Sequence, residues 1–360
     1  MVEEARDRTS RVADVANPYG AITEVPDVTV GHAERIGDGW LTGVTTVIPP
    51  VGTIGAVAVG GGGPGTSQTD VLAPGKLPDT VDAIALAGGS AHGLAAAHGV
   101  QRWCEEHDRG FRIRPGVVVP IVPAAIAFDL GRGGDLTARP DAEMGYAAAA
   151  GASSGDVRTG CVGAGTGAMF GLPRLKGGVG TACVRLPELL VGALVVANAY
   201  GSPLDRTSGA LLATPYVDDP RLRPRTPDAG ADQAEPASTR PDAMNTTLAV
   251  VATNARIQAA QAQRMATAGH DGLARAVRPV HTLVDGDTVF ALATGRVDPI
   301  ASAPSDWAGA AEIGGQVALE SAAADAVTLA LLDAILSATG VDTPDGRIEA
   351  YLERYPSASP

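Results

Sequence analysis

Aromatic side chains are scarce in this sequence: phenylalanine, tyrosine and tryptophan make up 4% of its 360 residues. Its core must therefore be built from small and branched aliphatics, and 46 glycines point to close backbone packing. Basic residues are also in deficit, with 27 lysines and arginines against 40 acidic residues and a net charge of −13. A surface of that sign repels phosphate backbones, which argues against a nucleic-acid partner. Cysteine occurs three times, at Cys104, Cys161 and Cys183, without C-x-x-C spacing. Such a count argues against a disulfide framework and for a reducing compartment. No apolar run approaches the ~18 residues of a membrane span. Met1 to Asp14 is charged, unlike a secretory signal. The expectation is a cytoplasmic, globular protein with neither membrane nor nucleic acid as partner.

What is present is a mixed pattern of strands and helices. Residues 1–20 read as a flexible N-terminal segment and 21–340 as one domain, with 341–360 as a polar tail. Strand-like runs cover Ile22 to Val30, Gly43 to Ile48, Gly55 to Val59, Ala83 to Ala87, Val117 to Val122 and Leu189 to Asn198. Helices are expected from Ala91 to Glu106 with Ser90 as N-cap, and from Asp141 to Ala150. Two more are expected from Ile257 to Val277 and from Ile313 to Thr339. Between the halves, residues 218–244 carry Pro220, Pro224, Pro227, Pro236 and Pro241 and almost no large apolar side chain. That stretch cannot offset its ordering entropy and reads as a disordered linker. Strands and helices without regular βαβ alternation point to a layered α+β or sandwich-like arrangement.

Several motifs invite chemistry and fail in context. Gly60 to Gly65 satisfies G-x-G-x-x-G, but Thr66 to Asp70 continues as loop, so no dinucleotide site is expected. Gly151 to Gly155 matches the nucleophile elbow G-x-S-x-G around Ser153. A helix precedes it where a strand is required, so a serine hydrolase centred on Ser153 stands only as a runner-up. The histidines at 32, 92, 98, 107, 270 and 281 show no metal spacing, and structural or solvent roles are favoured. No metal and no organic cofactor is expected.

Thr246 stands where the linker meets the apolar run Leu248 to Ala252, followed by a further strand, Thr288 to Thr294. Cleavage between Asn245 and Thr246 would give that residue a free α-amine beside its own hydroxyl. An amine with a reference pKa of about 7.7–8.0 suits proton shuttling near neutrality, and it would activate an otherwise weak nucleophile. Asp285 and Asp287 flank Gly286 in a turn before a strand and could orient that amine. The bland reading is an ordinary Asp-Gly turn. Asn198, ending an apolar run, could donate to an oxyanion.

The chain resembles the P1-type peptidase family, the autoprocessed group of L-aminopeptidase/D-esterases, β-aminopeptidases and nylon-oligomer hydrolases. The resemblance rests on Ile22 to His32, Leu86 to Leu94, Val119 to Pro123 with Phe128-Asp129-Leu130, and Gly163 to Gly167. It continues through Lys176 to Thr181, Asn245-Thr246-Thr247 and Asp285 to Ala291, in order over about residues 20–295. It implies a four-layer αββα sandwich like that of N-terminal-nucleophile hydrolases, with different strand connectivity. It further implies self-cleavage into an α chain, 1–245, and a β chain, 246–360, assembled as a homotetramer of such pairs. Thr246 then falls on the nucleophile, Asn198 on the oxyanion-side amide, and Asp285 and Asp287 on the polar pair. Lys176 falls on a lysine of the nylon-hydrolase branch. Threonine with Asp-Gly-Asp departs from the aminopeptidase branch, whose nucleophile is generally serine. The implied activity is amide hydrolysis of small peptides, amino-acid amides or ω-amino-acid oligomers such as 6-aminohexanoate. The rival from another class is a non-catalytic binding protein that keeps only the fold.

Overall fold

The computed structural model describes residues 17–228, 244–299 and 310–360. Two five-stranded sheets stack face to face. The first contains β1 (Thr29–Gly37), β2 (Trp40–Ile48), β4 (Thr66–Ser67), β5 (Ile84–Ala87) and β8 (Ala124–Ile126), in the order β1-β2-β5-β8-β4. The second contains β3 (Ile54–Val59), β11 (Val179–Arg185), β12 (Leu190–Val196), β13 (Leu248–Ala255) and β14 (Thr288–Val297), in the order β11-β12-β13-β14-β3. Three hairpins decorate them: β6 (Phe111–Arg114) with β7 (Val117–Val119), β9 (Met169–Gly171) with β10 (Arg174–Lys176), and β15 (Val341–Thr343) with β16 (Gly346–Ile348).

Each sheet is antiparallel except for one pair, β5 with β8 and β13 with β14. A parallel pair needs a crossover, and a helix supplies it in both cases. These helices are α1 (Ala96–Glu106) and α3 (Ala259–Ala276), joined on the outer faces by α2 (Ala142–Ala150) and α4 (Ala310–Leu336). Period-two alternation then sorts β13. Leu248, Val250 and Ala252 face the seam between the sheets with Val47, Leu86 and Leu194. Ala249 and Val251 face α3 and α4 with Met265, Leu273 and Leu331. Each buried Leu or Val there contributes about 1.5–3 kcal/mol. The architecture is the expected αββα sandwich.

The scarcity of aromatics has a geometric counterpart. Where α1 crosses α2, a methyl on Gly99 would lie 1.7 Å from the Ala142 oxygen, and one on Gly145 1.9 Å from the Ala96 oxygen. Only bare backbone fits, so these two helices approach closely without large side chains between them.

Local differences from the sequence reading have local causes. Ile22–Glu24 is a short 3-10 turn, so the first strand begins at Thr29. Ser90 has φ +55° and caps nothing; Ser90–Ala95 is 3-10, and α1 starts at Ala96. Of Val117 to Val122, only β7 pairs, in an outlying hairpin where Val119 is half exposed. The expected C-terminal tail folds instead: β15, β16 and α5 (Tyr351–Arg354) bring Tyr351, Tyr355 and Ala358 into the core. Residues 218–228 of the linker are held, since the Leu222 oxygen accepts from the Tyr19 hydroxyl (2.7 Å) and Arg225 N donates to the Ala358 oxygen (3.1 Å). The rest, 229–243, lies outside the described residues, as do 1–16 of the N-terminal segment; Asn17 is tied to both backbone groups of Val157.

Candidate active site

Strand register alone gathers the candidate residues at one end of the second sheet. Val196 of β12 pairs with Leu248 of β13 antiparallel, so Asn198, two residues beyond the one, faces Thr246, two residues before the other. Leu248 also pairs with Thr288 of β14 in parallel, which sets the turn Asp285–Asp287 beside Asn245–Thr247. Val59 of β3 pairs with Thr288 antiparallel, which carries Gly60 to Gly63 onto that turn.

Thr246 is buried at 2% exposure. Its backbone N–H donates to the Asn198 oxygen at 2.7 Å, and its hydroxyl donates to the Asn245 oxygen at 2.6 Å. Gly286 N–H donates to that same Asn245 oxygen at 3.2 Å. The carbonyl preceding Thr246 is thus flanked by a hydroxyl and an amide donor. A Cβ on Gly286 would stand 2.8 Å from the Thr246 hydroxyl, so glycine is what lets this amide approach.

The two carboxylates frame the threonine without touching its backbone nitrogen. Asp285 accepts from Tyr200 N (2.9 Å) and from the backbone and hydroxyl of Thr282. Burial, and then the charge of Asp287, push its pKa above the ordinary carboxylate range. Asp287 accepts from Thr247 N (2.8 Å), from His281 N (3.0 Å) and from His281 Nδ1 (2.8 Å). The nitrogen expected to be oriented by this pair is held by the Asn198 carbonyl instead, and the carboxylates fix the backbone on either side of it. Structural or solvent roles were expected for all six histidines, and for His281 the structure specifies one, holding the Asp287 carboxylate. Its ring also meets that of His270 edge-on, at 4.6 Å between centroids.

Asn198 turns its amide nitrogen toward the oxygens of Phe128 (3.3 Å) and Thr246 (3.4 Å). Its own oxygen accepts from Met169 N and from Arg132 Nη1, at 3.0 and 2.6 Å. Arg132 comes from the first sheet, in the loop after β8. Its Nη1 also reaches the Gly167 oxygen at 2.6 Å, and its Nη2 reaches the Asn245 side-chain oxygen at 2.7 Å. Burial lowers the pKa of this guanidinium to about 10, against the nearby carboxylate of Asp129. Burial likewise raises Asp129 to about 6, against the Gly89 N–H and Arg132. Sequence reasoning missed Arg132 because an arginine in a glycine-rich loop has no signature. The quoted Phe128-Asp129-Leu130 was the nearest signal.

Lys176 is brought close in sequence terms but spent elsewhere. Its ammonium is fully buried and donates to the oxygens of Gly165, Ala168 and Gly177, at 3.0, 2.8 and 2.9 Å. Burial lowers its pKa to about 8, with the Cys161 thiol working in the opposite direction. With three donors and three carbonyls satisfied, it ties together the loops behind Asn198. Ser153 lies in an exposed loop, and its backbone pairs with Val30. It therefore lacks the strand-turn-helix setting of a nucleophile elbow. Gly60 to Gly63 holds the Asp285–Asp287 turn: Gly60 N and Gly61 N donate to the Asp287 backbone oxygen, Gly62 N to that of Thr282, and Gly63 N to that of Asp285. A Cβ on Gly61 would fall 2.4 Å from Asp285 and Asp287 backbone atoms. That close approach is what the glycine run serves.

Comparison with known proteins places the chain in a family. The family model for peptidase family S58 matches residues 20–349. An uncharacterised aminopeptidase of Mycobacterium leprae is 46% identical, over 96% of each chain. The 6-aminohexanoate-oligomer endohydrolase of Paenarthrobacter ureafaciens is 31% identical, over 76% of this chain and 75% of its own. Among solved structures, the L-aminopeptidase D-Ala-esterase/amidase of Ochrobactrum anthropi superposes with a TM-score of 0.70 at 23% identity, covering 96% of both chains. That structure is described as a serine aminopeptidase with a variant of the Ntn hydrolase fold, and at this identity the likeness speaks for the fold. The chain belongs to peptidase family S58, and it is an enzyme that hydrolyses C–N amide bonds.

Proposed function

We propose that this hydrolase cuts its own chain between Asn245 and Thr246 and then uses Thr246 as an N-terminal nucleophile. One observation carries the reading: the buried Thr246 hydroxyl lies 2.6 Å from the carbonyl oxygen of the preceding bond, and Gly286 N–H bonds that oxygen from another side. A hydroxyl so placed can attack its own preceding carbonyl through a small ring. An amide donor already aimed at the oxygen stabilises the negative charge that develops there.

After the cut, the nitrogen now bonded to the Asn198 oxygen is a primary amine. It takes the hydroxyl proton as Oγ1 attacks a substrate carbonyl, and passes it to the leaving amine. Water then releases the acid from the resulting ester. Asp287 and Asp285 hold the backbone on both sides of the nucleophile through Thr247, Tyr200 and Thr282, which keeps the attacking geometry fixed. A threonine in place of the serine described for the Ochrobactrum protein keeps the hydroxyl and adds one methyl. The names of the relatives point to the substrates, amino-terminal residues of small peptides and amides or 6-aminohexanoate oligomers.

Replacing Thr246 tests the reading. Thr246→Ala should leave a single uncut chain and lower amidase activity at least about a thousandfold, whereas Thr246→Ser should keep both functions. Normal cutting and activity in the alanine variant would remove Thr246 from the mechanism.

A further inference from the structure

We infer that Arg132 reads the side chain of the substrate's acyl residue, so that the enzyme prefers acyl residues bearing a side-chain carbonyl oxygen at the γ position, aspartyl and asparaginyl. The inference rests on self-cleavage at Thr246. In that step Thr246 Oγ1 bonds to the Asn245 carbonyl carbon and the C–N bond breaks. The hydroxyl proton passes to the nitrogen, which becomes the Thr246 α-amine. The product is an ester between the Asn245 carbonyl and Thr246 Oγ1, with residues 1–244 still attached to the Asn245 nitrogen; its carbonyl and side chain stand where those of an asparaginyl acyl-enzyme would stand. Water then adds to that carbonyl carbon, Asn245 leaves as a carboxylate, and the proton returns to Oγ1. Asn245 in the uncut chain therefore marks where the acyl residue of a substrate sits.

The Asn245 side chain is buried there, at 2% exposure for the residue, and its oxygen accepts from Arg132 Nη2 at 2.7 Å. The other arm of the guanidinium is engaged by the Gly167 and Asn198 oxygens. Nη2 is thus the arm aimed into the acyl subsite, and it loses this acceptor when Asn245 leaves. A buried charged donor without an acceptor is costly, so a substrate that restores the bond is favoured over one that cannot. Asn245 Nδ2 has no hydrogen-bond partner among the described residues, although it is buried. Exchanging that NH2 for a carboxylate oxygen sacrifices no bond and adds attraction to the guanidinium. A leucyl residue fills a similar volume and leaves Nη2 unpaired. A lysyl residue sets like charges against each other.

The test uses the wild-type protein, shown by intact mass to be cut before Thr246, with aspartyl-, asparaginyl-, leucyl- and lysyl-p-nitroanilides. The expected kcat/KM for the first two exceeds that for leucyl at least about tenfold, with lysyl lowest. In self-processed Arg132→Met, or Arg132→Lys should the former stay uncut, the asparaginyl-to-leucyl ratio should fall. A leucyl value equal to or above the asparaginyl one in cut wild-type protein overturns the role of Arg132 and leaves self-cleavage standing. An unchanged ratio in the variants overturns it too. A chain that never cuts removes both ideas together.

Discussion

At Thr246 the amide nitrogen and the hydroxyl are tied to different neighbours, the Asn198 carbonyl and the Asn245 carbonyl. The proposed cleavage would leave the first tie in place and free the second, so that the same residue would serve first on its own chain and then on a substrate. Gly286 is the residue on which this geometry turns. A methyl there would stand 2.8 Å from the Thr246 hydroxyl and 2.7 Å from the Gly63 oxygen. Gly286→Ala should therefore slow self-cleavage at least about tenfold while circular dichroism stays native. Cutting at the wild-type rate would contradict the placement of that amide. At this scale the sequence pointed to Thr246, Asn198, Asp285 and Asp287, and the structure brings these four together, with the carboxylates holding neighbouring backbone and not the Thr246 nitrogen. The sequence was silent on Arg132, whose meaning comes from a partner distant in the chain, since it crosses from one sheet to the other to reach Asn245, and it named no partner for His281, which holds Asp287 six residues on.

Among the elements, the apolar strands and the long helices could be read from periodicity because each buries a continuous face. Short pieces could not: Ser90–Ala95, β7 and the segment 341–360 take their form from tertiary contacts that override local preference. The contact between α4 and β11 carries a titration of its own. Asp333, buried on α4, accepts from Thr181 N at 2.9 Å and from the Ser337 hydroxyl at 3.3 Å. Burial pushes its carboxyl up to about 7. An unfolded aspartate releases its proton near pH 3.9, so between about pH 4 and about 7 the folded chain holds a proton that the unfolded chain has lost. This group's contribution to stability is therefore fullest below that window and declines as pH rises through it. Asp333→Asn, permanently neutral, should show a smaller fall in Tm from about pH 5 to about pH 8 than wild type. Asp129, raised in the same direction, is present in both proteins and cancels. Equal slopes for the two proteins would count against a protonated Asp333.

For the whole molecule, the α+β class and the layered sandwich followed from the mixed pattern and the resemblance, and the structure bears them out. The assembly of the site needed one thing that the sequence does not display, the register of β12, β13, β14 and β3. Those four strands bring Asn198, Thr246, the Asp285–Asp287 turn and Gly60–Gly63 to one end of one sheet. The first sheet then closes over them with Arg132. The bond between Asn245 and Thr246 lies at the focus of that arrangement, and intact mass of the purified full-length protein after prolonged incubation tests it most directly. Two species are predicted, one ending at Asn245 and one running from Thr246 to Pro360 with a free threonine amine. A single uncut chain, or a new N-terminus at any other residue, would contradict the account.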